Sequence, residues 1–427
     1  MSRTSEAPRV VISGLGFITS IGNDRATVTR NLRELRHGIE PFAFFPGCDL
    51  PVKVAGTIKG FDTRSTHFSD WQWPERYTFK RELLRSLPPH GLHACCAFEQ
   101  AIIDARLTAN DLSNEETGLF TASAGSPFLQ RNTLNQLYES QGQRAAPLGI
   151  VSSISGTLNF TLAAHYGIRG GVCGFVSACA STAHALGYAH DEISLGRHRR
   201  IIVVGGEDLT ADSTYSFHGM RVLSRNPNPA TASRPFDLGR DGFVGTGGAT
   251  VLVLEEAKSA LGRSSPIYAE ILGWGQASDG FNMAISDPEG RGLTSAMRRA
   301  LVASRLTPGD IDYVNAHATS TPTGDRSEAH ALQTVFTAAG AFPAISSTKA
   351  LTGHGLSMAA AMEAGFCALA LHDGFIPGQA HLSERDPACA GLNLPRETLD
   401  RAPEVLLSNS SGFGGSNVVL ALRRWRT

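Results

Sequence analysis

Four short segments of the chain hold residues able to do covalent chemistry, each among small neighbours that leave room for a substrate. In Val176-Ser177-Ala178-Cys179-Ala180-Ser181-Thr182-Ala183-His184-Ala185, a cysteine stands between a strand-like run and a helical pattern reaching Leu195. Backbone N–H groups at the start of that helix would stabilise a thiolate and lower the thiol pKa. Taken alone, Cys179 fits a small buried hydrophobe as well as a nucleophile. The segment from Asn315 to Asp325 follows the apolar Ile311–Val314 and sets His317 among Thr319, Ser320, Thr321 and Thr323. Such neighbours can fix the tautomer of a working imidazole, although a hydrogen-bonded structural histidine reads equally well. From Ser346 to Gly355, Lys349 and His354 stand five apart across a glycine turn. A lysine in an uncharged small-residue segment is unusual, and a solvated face is its plain alternative. The fourth segment, Leu407 to Asn417, has glycines that can present N–H groups to an oxyanion, with the bulky Phe413 among them.

One thiol, two imidazoles, one amine and an N–H-rich loop make a set for acyl transfer. A cysteine peptidase needs a Cys and a His but has no use for the second His or the Lys. Gly14-Leu15-Gly16 follows a strand-like run, but Thr19 stands where a dinucleotide fingerprint needs its third glycine. That segment reads as a strand-to-loop turn, without NAD.

The elements that must position these residues alternate along the chain. Short apolar runs at Arg9–Gly14, Arg200–Gly206, Thr250–Glu255, Ile267–Leu272, Glu404–Leu407 and Val418–Leu422 fit central strands covered on both faces. Helical patterns run from Asp24 to Arg36, His93 to Ala105, Ser181 to Leu195, Leu293 to Ser304, Asp325 to Ala338 and Leu356 to His372. The alternation indicates α/β layering. The 427 residues allow two or three domains, or one large duplicated fold. A strand, a small-residue turn and an alanine-rich helix occur once after Val176 and again after Ile345, with a boundary in the polar stretch Glu256–Ser265. Asn226-Pro227-Asn228-Pro229 is a loop, and the aromatic-rich stretch Phe42–Pro89 reads as an irregular insertion.

Lys and Arg number 38 against 39 Asp and Glu, so no global field favours a nucleic-acid backbone or an anionic membrane. The stretch Ala359–Leu371 is the most apolar, but Glu363 interrupts it and it is too short to span a bilayer. No apolar run follows Met1-Ser2-Arg3, so no signal peptide is expected. The seven cysteines, Cys48, Cys95, Cys96, Cys173, Cys179, Cys367 and Cys389, form no C-x-x-C pair. A reduced cytoplasmic protein without a metal site is the expectation.

Together these segments resemble the β-ketoacyl-acyl-carrier-protein synthases of the thiolase superfamily. Ser177-Ala178-Cys179-Ala180-Ser181 is similar to the family's nucleophile motif, and Asn315 to Pro322, with Gly324-Asp325 and Glu328, to its first histidine motif. Thr348-Lys349 through Thr352-Gly353-His354 is similar to the second, and Ser408-Asn409 through Gly412-Phe413-Gly414-Gly415 to the terminal loop. Ser233-Arg234-Pro235-Phe236-Asp237 and Arg240-Asp241-Gly242-Phe243-Val244 add a further signature. The resemblance implies an α/β fold with five αβαβα layers built from two pseudo-symmetric halves, here 1–255 and 256–427. It implies that Cys179 is acylated, with the Cys179 and Phe413 N–H groups as oxyanion hole. His317 and His354 then promote decarboxylation of malonyl-carrier protein, and the enolate condenses with the acyl-enzyme. Lys349 is expected to pair with Glu328, Asp325 to support the His317 loop, and Phe413 to act as a gate. No cofactor is implied. The partners implied are acyl- and malonyl-loaded acyl carrier protein and a second subunit, usually an identical one.

Several positions depart from the family pattern. Gly245-Thr246-Gly247-Gly248 lacks a Glu common in the type II elongation enzymes and, with Ala277-Ser278-Asp279-Gly280, looks closer to the type I enzymes. Ser411 stands where a Phe usually precedes the Gly-Phe-Gly-Gly run, and Ser357-Met358 replaces a Gly-Ala pair. Ser86-Leu87-Pro88-Pro89-His90 breaks a helix that is normally continuous. Arg81 and Arg85 fall on the family's basic carrier-protein positions, with Glu82 in place of a Lys, and a solvated face is their other reading. The expected reaction is the condensation that gives a 3-oxoacyl-carrier protein in fatty-acid elongation. The alternatives are a pathway-specific ketosynthase of polyketide or polyene synthesis, including one subunit of a heterodimer, and a non-catalytic chain-length partner.

Overall fold

The computed structural model describes residues 7–426, so Met1-Ser2-Arg3 lies outside the described residues. Ten strands form the main sheet among those residues. In chain order they are β1 (Val10–Ile18), β2 (Thr117–Ala122), β3 (Val172–Gly174), β4 (Arg200–Glu207), β5 (Gly248–Glu256), β6 (Ala269–Ser278), β7 (Tyr313–Asn315), β8 (Ala344–Ser346), β9 (Val405–Gly412) and β10 (Ser416–Arg423). The spatial order is β8-β7-β9-β10-β6-β1-β5-β4-β2-β3.

The order repeats. On one side β3, β2 and β4 are parallel, followed by antiparallel β5 and β1. On the other, β8, β7 and β9 are parallel, followed by antiparallel β10 and β6. The halves join where Val10–Ile12 of β1 runs antiparallel to Ala269–Ile271 of β6.

Period-two alternation explains why the strands read as unbroken apolar runs. Ile201 and Val203 face a central core, while Ile202 and Val204 face an outer one. Likewise Leu406 points to the centre and Leu407 outward. The helices α2 (Ser181–Ser194) and α5 (Ala359–Asp373) fill the middle layer, and α5 is buried from Ala359 to Leu371. On the outer faces lie α1 (Pro89–Asp104) on the first half and α3 (Arg291–Ser304) with α4 (Pro322–Val335) on the second. These are the five αβαβα layers.

Gly14 and Gly16 do not form the expected turn. β1 runs through them to Ile18, with a bulge between Ile12 and Gly14. A Cβ at either position would collide with the backbone of α1, at Ala101 or Ala97, so glycine here permits close helix packing. The break at Ser86–His90 is present: a short helix ends at Leu84, and Pro89 opens α1 at a position where a missing N–H costs nothing. Among the described residues, no helix is long and apolar enough to cross a membrane.

Candidate active site

The functional side chains gather beyond the carboxyl ends of the parallel strands, where open α/β sheets place their sites. β3 leads to Cys179, β7 to His317, β8 to Lys349 and His354, and β9 to Phe413. Ala178 has φ of 50°, an uncommon left-handed geometry for a residue with a side chain, which lifts Cys179 out of the turn just before α2.

Cys179, His317, His354, Glu328 and Phe413 line one cavity of about 100 Å³. His354 Nε2 lies 3.0 Å from Cys179 Sγ. The two imidazoles meet edge to face with centroids 5.4 Å apart, and Phe243 packs against His354 at the same separation. Burial and the nearby Lys349 hold both histidines well below the ordinary imidazole range, so they are neutral near pH 7. Gly412 passes so close to the turn carrying Cys179 that a Cβ there would stand 2.6 Å from the Ser177 carbonyl oxygen and 3.1 Å from Cys179 N. This brings the Gly412–Phe413 backbone against the Cys179 N–H. Phe413 is 38% exposed and touches Phe217 in the mouth of the cavity.

Two expectations need correction. The helix start does not leave the thiol acidic: burial pushes Cys179 up to about 12, and the opposing pulls of Lys349 and of the backbone N–H do not overcome it. Lys349 does not pair with Glu328 either. Its Nζ bonds Glu363 on α5, and both side chains are wholly buried. Glu328 instead accepts the N–H groups of His317 at 3.0 Å and Ala318 at 2.6 Å, and the Asn409 amide at 3.0 Å. Its negative charge is thus satisfied by the backbone that carries His317.

Asp325 accepts the N–H groups of Ser320 at 3.1 Å and Phe236 at 2.9 Å, and faces Arg240 at 3.3 Å. Arg240 also donates to the carbonyls of Thr321 and Pro322. The Ser233–Val244 signature therefore braces the loop after His317. Arg81 and Arg85 are exposed and do not line the cavity. They stand on and beside the helix Arg81–Leu84, with Arg81 over the Phe68 ring at 5.9 Å.

The comparisons with known proteins agree with this geometry. The model of the beta-ketoacyl synthase N-terminal domain matches residues 7–260, and that of the C-terminal domain matches residues 268–383. The chain belongs to the β-ketoacyl synthase family. A Haemophilus influenzae protein named 3-oxoacyl-[acyl-carrier-protein] synthase 1 is 37% identical over 98% of this chain and 99% of its own length. A Synechocystis 3-oxoacyl-[acyl-carrier-protein] synthase 2 is 35% identical over 99% of each chain. The crystal structure of a β-ketoacyl synthase from Burkholderia phymatum superimposes with a TM-score of 0.88 at 30% identity, over 98% of this chain and all of that one. The ishigamide ketosynthase/chain length factor gives 0.87 at 27% identity, with the same coverage.

Within this β-ketoacyl synthase, Glu363 is the site residue that sequence reasoning missed, because it stood only as an interruption in an apolar run. The signal was present. A lone acid in a buried helix and a lone lysine in an uncharged segment each need a partner, and here each finds the other.

Proposed function

We propose that this protein catalyses the decarboxylative condensation of a Cys179-bound acyl chain with malonyl-acyl-carrier protein, giving 3-oxoacyl-carrier protein and carbon dioxide. The observation that carries the reading is the contact of His354 Nε2 with Cys179 Sγ at 3.0 Å, with neutral His317 beside it in the same cavity. The full-length relatives named as 3-oxoacyl-carrier-protein synthases support it.

With the resting thiol protonated, Cys179 passes its proton to His354 as the sulfur attacks the carrier thioester. The Cys179 and Phe413 N–H groups hold the oxyanion, and the departing carrier thiol takes the proton. Malonyl-carrier protein then enters. His317 and His354, the latter now as its Nε2–H tautomer, donate hydrogen bonds to its thioester oxygen, so carbon dioxide leaves as an enolate forms without a metal. The enolate carbon attacks the Cys179 thioester, the carbon–sulfur bond breaks, and the expelled thiolate takes a proton from solvent to regenerate the cysteine. Glu328 and Asp325 fix the His317 loop, Glu363 holds Lys349 beside the two imidazoles, and Phe413 gates the two half-reactions.

The partners in this reading are the acyl carrier protein, met by the exposed Arg81 and Arg85, and a second copy of the chain. The edge strand β3, with Val172, Val176, Phe160 and Tyr188 exposed around it, supports a dimer built on that edge. The halves 1–255 and 256–427 serve as the nucleophile-bearing and imidazole-bearing units. The cytoplasm is its expected compartment, supported by seven cysteines that are all unpaired.

A second reading, a ketosynthase dedicated to polyketide or polyene synthesis, is favoured by the likeness to the ishigamide ketosynthase/chain length factor. It also draws on the polar Ser411 at the cavity wall, bonded to Asn417 at 2.7 Å. Turnover of a panel of saturated, unsaturated and 3-oxoacyl carrier proteins separates the two. A preference for saturated chains supports elongation, and a preference for polyenoyl or 3-oxoacyl chains supports the dedicated enzyme.

A further inference from the structure

The two halves carry the same turn ahead of their central helices. Ala178 and Leu356 have φ of 50° and 49°, and each precedes a residue, Cys179 or Ser357, that stands two positions before α2 or α5. Ser357 is therefore the counterpart of Cys179 in the duplication. Its hydroxyl does not face the catalytic cavity but donates to Oε2 of Glu207, a wholly buried carboxylate at the end of β4.

This pair is built into the ground behind the nucleophile. Thr182, on the first turn of the helix that follows Cys179, donates Oγ1 to the Ser357 carbonyl at 2.9 Å and accepts the Ala361 N–H at 3.0 Å. Gly205, two residues before Glu207, leaves so little space that a Cβ would stand 2.8 Å from Thr182 Cγ2 and 3.1 Å from Met358 Cα. Strand end, nucleophile helix and Ser357 thus form one packed block. Glu207 Oε1 has no hydrogen-bond partner, so the carboxyl group is anchored through one oxygen alone.

We propose that the Ser357–Glu207 pair is a positioning element for the condensation chemistry, a carboxylate fixed behind Cys179 that governs how readily its sulfur releases a proton. This rests on the reading of Cys179 as the nucleophile. The charges facing Cys179 are Lys349, which favours the thiolate, and Glu207 and Glu363, which oppose it. Glu363 is bonded to Lys349, whereas Glu207 has no cation bonded to it and only His90 nearby. Facing Glu207 itself are Ser357, His90, Asp208 and the Ala124 N–H, and burial pushes its carboxyl up to about 7. At and above that pH the growing negative charge holds Cys179 as a thiol until His354 and a bound thioester draw the proton away. A thiol so held resists adventitious alkylation and oxidation, which require the thiolate.

The test is the rate of Cys179 alkylation by iodoacetamide between about pH 6 and pH 9, read by peptide mass in the full chain, for wild type, Glu207→Gln and Ser357→Ala. Removing the charge raises the alkylation rate of Glu207→Gln near pH 8 by about fivefold. Ser357→Ala moves the same way, because an unpartnered Glu207 stays protonated to higher pH. A purely structural role predicts unchanged or slower alkylation, and that result in folded variants overturns the proposal. Should Glu207→Gln fail to fold, the smaller change Ser357→Ala decides. Absence of any Cys179 adduct in wild type and in both folded variants overturns the nucleophile reading and the inference with it. A Cys179 adduct whose pH profile ignores both variants overturns only the inference.

Discussion

Lys349 and Glu363 form an ion pair closed to solvent on every side, linking the turn after β8 to the middle of the central helix α5. Two buried charges gain little over a well-packed apolar pair, but removing one strands the other. Lys349→Met alone and Glu363→Leu alone should each cost about 3–5 kcal/mol in denaturant unfolding. The double variant should recover much of that loss, and condensation should remain lost in all three.

The second prediction concerns the neutral histidines. Both are held well below the ordinary imidazole value near 6.5 by burial and Lys349. A Cys179→Ala variant, which cannot be acylated, should still decarboxylate malonyl-carrier protein, and no imidazole protonation should cut that rate between about pH 8 and pH 6. The sign for stability follows from linkage. These groups are neutral when folded and protonate at about 6.5 when unfolded, so their contribution is intact above that value and falls as pH drops below it. Carbon dioxide release measured across this range checks the point, and a rate that halves near pH 6.5 would contradict it.

Gly412 makes the third. A methyl group there meets the Ser177 carbonyl at 2.6 Å and presses on Cys179 N. Gly412→Ala should therefore displace the nucleophile turn and lower the acylation rate by about a hundredfold. The affinity for carrier protein, measured by calorimetry, should be unchanged.

A fourth follows from Glu328, which takes three hydrogen bonds from His317, Ala318 and Asn409. Glu328→Ala leaves those donors buried and unpaired, at a cost of about 1–3 kcal/mol for each. Thermal unfolding and single-turnover condensation should fall together, while acylation of Cys179, which does not depend on the His317 loop, should fall least.

Much of this site is legible in the sequence. Cys179, His317, Lys349, His354 and Phe413 sit in small-residue segments after apolar runs, and the runs are strands because both their faces are covered, as at Ile201–Val204. What stayed hidden depends on distance across the fold. The partner of Lys349 lies on another helix, and the burial that raises the Cys179 thiol belongs to the folded chain. Gly14 and Gly16 misled for a related reason, since α1 packs on them from far along the chain.

The central claim is that Cys179 carries the acyl chain and surrenders it to a decarboxylated malonyl unit. Intact-mass analysis after incubation with acyl-carrier proteins, with and without malonyl-carrier protein, tests it most directly. The account predicts an acyl adduct on Cys179, absent from Cys179→Ala, that disappears on adding malonyl-carrier protein as a 3-oxoacyl product two carbons longer forms. Condensation at the full rate by Cys179→Ala, or no adduct with any chain, would contradict it.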